Sequence, residues 1–229
     1  MENAKRAEMK IRGIIFDLDG VLIDSERLHF KTWQIIFGKR GERIYWKDFV
    51  SQIGRTALAT ARHFCQIKKI ECPLNELVEQ RVELYQKLMT KDVAFPGAVG
   101  LVKLLARKYP QKIALATSEW KEIARTILRR LGIEKQFSVI VGKEDVKQRK
   151  PHPETYIKSA KKLGLKPGQC VVFEDSIVGV QAAKRAGCKC IAVTNSFPRS
   201  VLEKARADLI VDSLMEKKNI LYFLATQTL

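Results

Sequence analysis

The chain has few of the residues that build cross-links or soft-metal clusters. Of 229 residues, 5 are cysteine and 3 are histidine. Cys65, Cys72, Cys170, Cys188 and Cys190 form no CxxC pair, and the single histidine near any of them, His63 beside Cys65, falls short of a zinc-ligand set. That spacing excludes a zinc ribbon or finger and a disulfide framework, so the cysteines read as reduced thiols. Cys188 and Cys190 stand two apart in a predicted strand, which points both the same way, as two small buried apolar side chains. No apolar run approaches the ~20 residues of a membrane span. The segment 1–10 mixes charges with alanine and lacks the apolar stretch of a secretory signal, so a cytoplasmic location is expected. Internal repeats and low-complexity tracts are absent.

Acidic residues are also scarce relative to basic ones: 25 Asp and Glu against 42 Lys and Arg, for a net charge of +17. Such an excess raises nucleic acid or an anionic membrane as partners. The basic residues, however, are dispersed. Lys68-Lys69, Arg129-Arg130, Lys161-Lys162 and Lys217-Lys218 fall on separate predicted helices without interleaved aromatics to stack bases. A solvated basic surface that attracts phosphorylated small molecules fits better.

With 46% hydrophobic residues, the chain can form one sizeable core and a smaller one. Short apolar blocks at Ile11–Phe16, Ile113–Ala116, Val139–Val141, Val171–Phe173 and Ile191–Val193 predict strands buried on both faces, with Leu209–Val211 as an edge strand. Between them, Gly97–Tyr109, Trp120–Leu131, Pro153–Leu163 and Ile177–Ala186 carry helical periodicity. The alternation predicts an α/β fold, a doubly wound (Rossmann-like) parallel sheet. Ser25–Lys91 breaks the rhythm: Leu28, Trp33, Ile36 and Phe37, then Leu77, Val82, Leu84 and Leu88, recur at helical spacing with no strand between. This predicts an inserted α-helical cap domain over 24–96, with the core formed by 1–23 and 97–229. Asp24 or Ser25 caps its first helix, and 92–96 forms the return linker.

Ligands of an open parallel sheet bind beyond the carboxyl ends of its strands. Asp17-Leu18-Asp19-Gly20 follows the first strand, Thr117-Ser118 the second and Glu174-Asp175-Ser176 the fourth, with Lys150 between the third strand and the next helix. Carboxylates and a lysine gathered there are costly as core packing unless paired or bound to a metal. They suit a hard cation such as Mg²⁺, with Asp17 and Asp175 as ligands. Asp17 and Asp19, two positions apart, can address opposite sides of one reacting atom, one attacking while the other handles protons. The charge of a transferring phosphoryl group would fall to Mg²⁺, Lys150, the Thr117 hydroxyl and backbone amides. On its own, DxDG after a strand is equally a turn with an Asx bond.

In order, Phe16-Asp17-Leu18-Asp19-Gly20-Val21, Ala116-Thr117-Ser118, Lys150-Pro151-His152-Pro153 and Phe173-Glu174-Asp175-Ser176 resemble the four motifs of the haloacid dehalogenase (HAD) superfamily, in the subgroup with a helical cap after the first motif. The resemblance spans nearly the whole chain. It implies Asp17 as nucleophile and metal ligand, and Asp19 as general acid/base and backbone-carbonyl ligand. Thr117, Ser118 and Lys150 would hold phosphate, and Asp175 would be the second carboxylate on Mg²⁺, with Glu174 ligating directly or through water. The dehalogenases and phosphonoacetaldehyde hydrolases lack the second Asp of the first motif. Asp19 therefore favours phosphate esters, because an alkoxide leaving group needs a proton.

Two relatives share this pattern: phosphatases of the sugar-phosphate or phosphoglycolate class, and β-phosphoglucomutase. His29, Trp33 and Arg81 look like the mutase cap, whereas Ile53-Gly54-Arg55-Thr56 has the Arg nearer the Gly than the mutase loop does. Arg55, His29 and Arg81 are candidate substrate contacts. His29 equally suits packing on a helix face, and Arg55 an ion pair with a neighbouring carboxylate. Trp33, Trp46 and Trp120 read as core or interface filler, with Trp120 near the pocket mouth. The expectation is an enzyme, an Mg²⁺-dependent phosphatase hydrolysing a small phosphomonoester through an aspartyl-phosphate. A phosphosugar mutase is the alternative, and a nucleic-acid-binding module on this scaffold the remote one. The expected partner is a phosphorylated metabolite and not a membrane, with the protein a monomer or homodimer.

Overall fold

The computed structural model describes residues 11–53, 55–89 and 93–227. The amino-terminal segment 1–10, Gly54 of the cap loop, and Lys91 and Asp92 at the predicted cap exit lie outside the described residues.

Six short strands form one sheet: β1 (Gly13–Phe16), β2 (Ile113–Ala116), β3 (Val139–Val141), β4 (Cys170–Glu174), β5 (Lys189–Val193) and β6 (Leu209–Val211). All neighbouring pairs are parallel, in the order β3-β2-β1-β4-β5-β6. Leu209–Val211 is an edge strand, as its length and position predicted. The direction of winding reverses between β1 and β4, and in such sheets the crevice at that point receives the ligand. The sequences GIIF and IALA of β1 and β2 are buried along their whole length. Both faces of a parallel sheet are covered, so the strands need apolar residues at successive positions rather than alternating ones.

Helices follow in chain order: α1 (Ser25–Gly38), α2 (Trp46–Val50), α3 (Ala57–Lys68), α4 (Leu74–Leu88), α5 (Ala98–Lys108), α6 (Lys121–Leu131), α7 (Glu154–Lys162), α8 (Ile177–Ala186), α9 (Arg199–Lys204) and α10 (Lys217–Thr226). Ile15, Val172, Ala116 and Cys190 from four strands cluster with Tyr156 and Ala160 of α7 and Val180 and Ala183 of α8. Each large apolar side chain buried this way contributes ~1.5–3 kcal/mol. Phe16 stacks on Phe173 at 4.6 Å between ring centres, with Phe137 edge-on to Phe16 at 6.2 Å. Cys170, Cys188 and Cys190 are packing residues of the Tyr156 cluster. Burial pushes the Cys170 thiol up to about 12, which removes it as a nucleophile at neutral pH.

The chain divides into two compact units, one of residues 1–23 and 94–229, the other of Asp24–Val93. The return to the first unit falls at residue 94, ahead of the predicted boundary at 97. Ala94 already bridges Ile23 in antiparallel fashion, and Phe95 N–H donates to Leu22 O at 3.0 Å. In the helical unit Asp24 caps α1, its Oδ1 accepting from Arg27 N–H at 3.1 Å; Ser25 lies inside the helix. The unit's own core holds Trp33, Phe37 and Phe64, packed edge to face, with Ile36, Phe49 and Leu77. Trp33 is core filler as expected, but Trp46 and Trp120 are 39% and 49% exposed. Each instead has a cation over its ring, Arg27 on Trp46 and Lys143 on Trp120. Val82 is exposed as well, because the buried stripe of α4 runs through Leu77. Among the described residues no helix is long and apolar enough to cross a membrane.

Candidate active site

The register of the two central strands sets the site. Phe16 pairs with Phe173, and Asp17 N–H continues the ladder to Phe173 O at 3.0 Å. The next residues outward, Asp17 on β1 and Glu174 and Asp175 on β4, therefore emerge side by side at the switch point. Oxygens of all three lie within 4.8 Å of one another. Their burial is nearly complete: Asp17 is 8% exposed, Asp175 5% and Glu174 0%.

Lys150 enters from the loop before α7 and donates to Asp17 Oδ1 at 2.7 Å and Glu174 Oε1 at 2.6 Å. Glu174 Oε1 also accepts from the Tyr156 hydroxyl at 2.6 Å, and the ammonium lies 5.1 Å from the centre of that ring. Glu174 Oε2 accepts from Asp175 N–H, Ser176 N–H and the Ser176 hydroxyl at 2.9–3.0 Å. Both oxygens of Glu174 are thus occupied by protein donors. Among the described residues, Asp17 Oδ2 and Asp175 Oδ1 accept no hydrogen bond.

Charge follows from this arrangement. Burial raises the Asp17 carboxyl to about 7 against the pull of Lys150, with Glu174 and Asp19 raising it further. Burial, then Glu174 and Asp17, push Asp175 well above the usual carboxylate range. Burial alone would raise Glu174 too, but Lys150, Tyr156 and the Ser176 amide outweigh it and hold the carboxyl low. Lys150 is driven down by burial and up more strongly by Asp17 and Glu174, so it stays protonated. With all three carboxylates ionised, one ammonium would leave negative charge uncompensated, which is why the Asp17 and Asp175 carboxyls are held high, and each keeps an oxygen that accepts no hydrogen bond among the described residues. A hard divalent cation such as Mg²⁺ fits that donor set.

The β1 loop turns sharply after Asp17. Gly20 sits at φ +75°, and a Cβ there would lie 1.8 Å from Asp175 Oδ2. Only glycine meets both conditions. Asn195 Nδ2 donates to Gly20 O at 2.8 Å, and the Ser196 hydroxyl donates to Asp175 Oδ2. Both residues follow β5. Half-buried Asp19 bridges Ile23 through its backbone. At the end of β2, buried Thr117 Oγ1 accepts from Glu119 N–H at 3.0 Å, leaving the hydroxyl proton to donate elsewhere. Thr117, Ser118 and Lys150 line one pocket.

Sequence reasoning missed Tyr156, Asn195 and Ser196. The first carried a signal, a tyrosine on the apolar stripe of a helix directly after the lysine motif, because a buried phenol needs a polar partner. The two residues after β5 carried only their place at a strand's carboxyl end. The cap candidates lie in the helical unit. Arg81 Nη2 is 2.5 Å from His29 Nδ1, and the His29 ring stacks on Tyr85 at 4.6 Å. Burial, with Arg81 beside it, lowers the His29 pKa to about 3, so the imidazole is neutral. The Arg55 side chain is exposed.

A parallel sheet with buried carboxylates and a lysine joined at its switch point defines an α/β enzyme whose site is made by strand ends. The haloacid dehalogenase-like hydrolase model matches residues 14–193, and the chain belongs to that family. It is similar to the fructose-1-phosphate phosphatase YqaB of Escherichia coli, 30% identical over 79% of this chain and 95% of that one. It is also similar to the phosphorylated carbohydrates phosphatase of Thermotoga maritima, 34% identical over 79% of this chain and 84% of its relative. Among solved structures it resembles β-phosphoglucomutase from Clostridium difficile, with a TM-score of 0.70 at 27% identity over 95% and 97% of the two chains. The fold class and the family inferred from the four motifs both hold. The chain is an enzyme of this hydrolase family.

Proposed function

We propose that the chain is a phosphatase acting on a small phosphomonoester of the sugar-phosphate or phosphoglycolate class, with a covalent phosphate carried on Asp17. The observation that carries this reading is the Lys150 ammonium shared between Asp17 and Glu174, beside Asp175. It keeps one carboxylate poised for attack inside a buried, cation-demanding site.

Lys150 and the Thr117 hydroxyl hold two phosphoryl oxygens, with Ser118 alongside. An Asp17 oxygen attacks phosphorus as the bond to the ester oxygen breaks, and Asp19 delivers its proton to the departing alkoxide. Asp19, now a carboxylate, takes a proton from water whose oxygen attacks phosphorus. The Asp17–phosphorus bond breaks and inorganic phosphate forms. Asp17, Asp175 and the Asp19 backbone carbonyl would hold Mg²⁺, which would supply positive charge against the phosphoryl oxygens. Glu174 acts on Lys150 rather than on the ion, because its oxygens are already engaged.

Phosphate release from a panel of sugar phosphates and 2-phosphoglycolate, with Mg²⁺ and with chelator, tests this reading. Asp17→Asn is expected to lower the rate by at least ~10⁴-fold, since the nucleophile is removed. A normal rate from that variant refutes it. The likeness to β-phosphoglucomutase favours a mutase as second reading, in which β-glucose 1-phosphate yields glucose 6-phosphate with no net phosphate release.

A further inference from the structure

Three parts of the chain meet at one oxygen of Asp175. The segment after β5 reaches both strands that flank the switch point: the Ser196 hydroxyl donates to Asp175 Oδ2, and Asn195 Nδ2 donates to Gly20 O at 2.8 Å. Gly20 in turn lies against the same carboxylate oxygen, since a Cβ there would stand 1.8 Å from Asp175 Oδ2. Oδ2 is therefore closed on one side by a hydroxyl and on another by the β1 loop, while Oδ1 accepts no hydrogen bond among the described residues. Packing does not account for the two residues after β5, because Ser196 is exposed and Asn195 only half-buried. Their polar groups are nonetheless directed at the acidic centre and at the loop that borders it. A hydroxyl facing a carboxylate donates its single proton, and a charge-assisted bond of that kind fixes which oxygen is turned away. Divalent ions differ in how they take a carboxylate. Ca²⁺ accepts both oxygens of one carboxylate in a flexible shell of about 6–8 oxygens, whereas the near-octahedral shell of the smaller Mg²⁺ leaves little room for two oxygens of one group.

We infer that Asn195 and Ser196 are positioning residues that hold Asp175 to a single ligand oxygen, Oδ1, and so bias this centre toward Mg²⁺ and against Ca²⁺. Ser196 keeps Oδ2 engaged and out of the coordination shell. Asn195 anchors the Gly20 carbonyl, which keeps the β1 loop against that oxygen so that the carboxylate does not rotate. The inference rests on the reading above only for a divalent cation at Asp17 and Asp175; phosphate release plays no part in its test.

The experiment titrates MgCl₂ and CaCl₂ separately into chelator-treated wild type, Ser196→Ala, Ser196→Thr and Asn195→Ala, with no substrate present, and reads each Kd by calorimetry. Removing a hydrogen-bond partner of a ligand weakens metal binding about 10–100-fold, so Ser196→Ala should raise the Kd for Mg²⁺ at least about tenfold. Ca²⁺ can take the freed Oδ2 as well, so its Kd should change by less than about threefold. The ratio of the Ca²⁺ Kd to the Mg²⁺ Kd therefore falls at least about threefold. A general loosening of the loops weakens both ions alike and leaves that ratio where it was. A fall of less than about threefold in Ser196→Ala overturns the inference, whatever happens to either Kd alone. Ser196→Thr keeps the hydroxyl and should hold the ratio near that of wild type; a loss as large as alanine's overturns the part given to the hydroxyl. Asn195→Ala should move the ratio in the same direction as Ser196→Ala, and an unchanged ratio overturns the part given to Asn195. If wild type binds neither ion, the cation reading itself fails, a result distinct from wild-type binding with ratios that the variants leave unchanged.

Discussion

Replacing Glu174 by Gln is the sharpest test of the buried network. The amide keeps one acceptor oxygen and turns the other position into a donor. If the oxygen stays toward Lys150 and Tyr156, the new NH₂ meets three donors, the Asp175 and Ser176 amides and the Ser176 hydroxyl. If it flips, the NH₂ faces an ammonium at 2.6 Å. Neither orientation satisfies the site, and Lys150 loses one of the two carboxylates that offset its burial. Breaking a buried pair by removing one partner costs ~3–5 kcal/mol. For a chain of this size that is roughly 6–20 °C in Tm. Thermal and guanidinium unfolding followed by circular dichroism, in the presence of a chelator, would read the loss with no contribution from a metal. A change below about 1 kcal/mol would refute the claim that Glu174 holds Lys150 in place.

Four further outcomes are expected. Tyr156→Phe removes one donor from Glu174 Oε1 but leaves Lys150 on it, so chemical denaturation should report a loss of ~1–2 kcal/mol, smaller than for Glu174→Gln. Gly20→Ala drives a methyl into Asp175 and forces a left-handed φ on alanine, and should cost at least ~2 kcal/mol in the same assay; wild-type stability would overturn the loop geometry. Adding Mg²⁺ at 100 times its Kd should raise unfolding free energy by ~2.7 kcal/mol, and Asp175→Asn should lose most of that gain. For His29, the folded pKa of about 3 lies below the ordinary 6.5, so the unfolded chain binds the proton more readily. Its contribution is full above pH 6.5 and fades as pH falls toward 3. After allowance for partial exposure it amounts to roughly 3 kcal/mol at most. Stability against pH in wild type and His29→Gln, with NMR titration of the three imidazoles, would check this: a His29 resonance titrating near pH 6.5 would refute it.

Most of the sheet was legible because parallel strands buried on both faces spell themselves as short apolar blocks. Ile113–Ala116 and Val139–Val141 fall on the predicted residues, while β4 and β5 each run two residues longer. The polar residues just past those blocks were legible for the same reason: Asp17, Glu174 and Asp175 break the apolar pattern where the chain leaves the sheet. What sequence could not carry was the direction of side chains between elements. Glu174 beside Asp175 reads as a ligand held directly or through water, and the sequence does not record that Tyr156 and the amides of its own turn also engage its oxygens. The exposure of Trp120 and Trp46 was illegible too, since helical periodicity does not record that a lysine or arginine will cover an indole from outside. The helix Arg199–Lys204, between β5 and β6, is only six residues long, too short to show a periodicity, and Lys217–Thr226 has no strand after it among the described residues.

The central place of β1 dictates when the protein becomes whole. Asp17 is made early, but its ammonium partner lies 133 residues downstream, and its second hydrogen-bonded neighbour strand, β4, is later still. Until that strand is synthesised, β1 exposes an apolar edge with open N–H and C=O groups, which invites pairing with another chain. A ribosome-bound chain ending between β3 and β4 would therefore be at its most adhesive, and the completion of one internal strand would remove the sticky edge and assemble the acidic centre together.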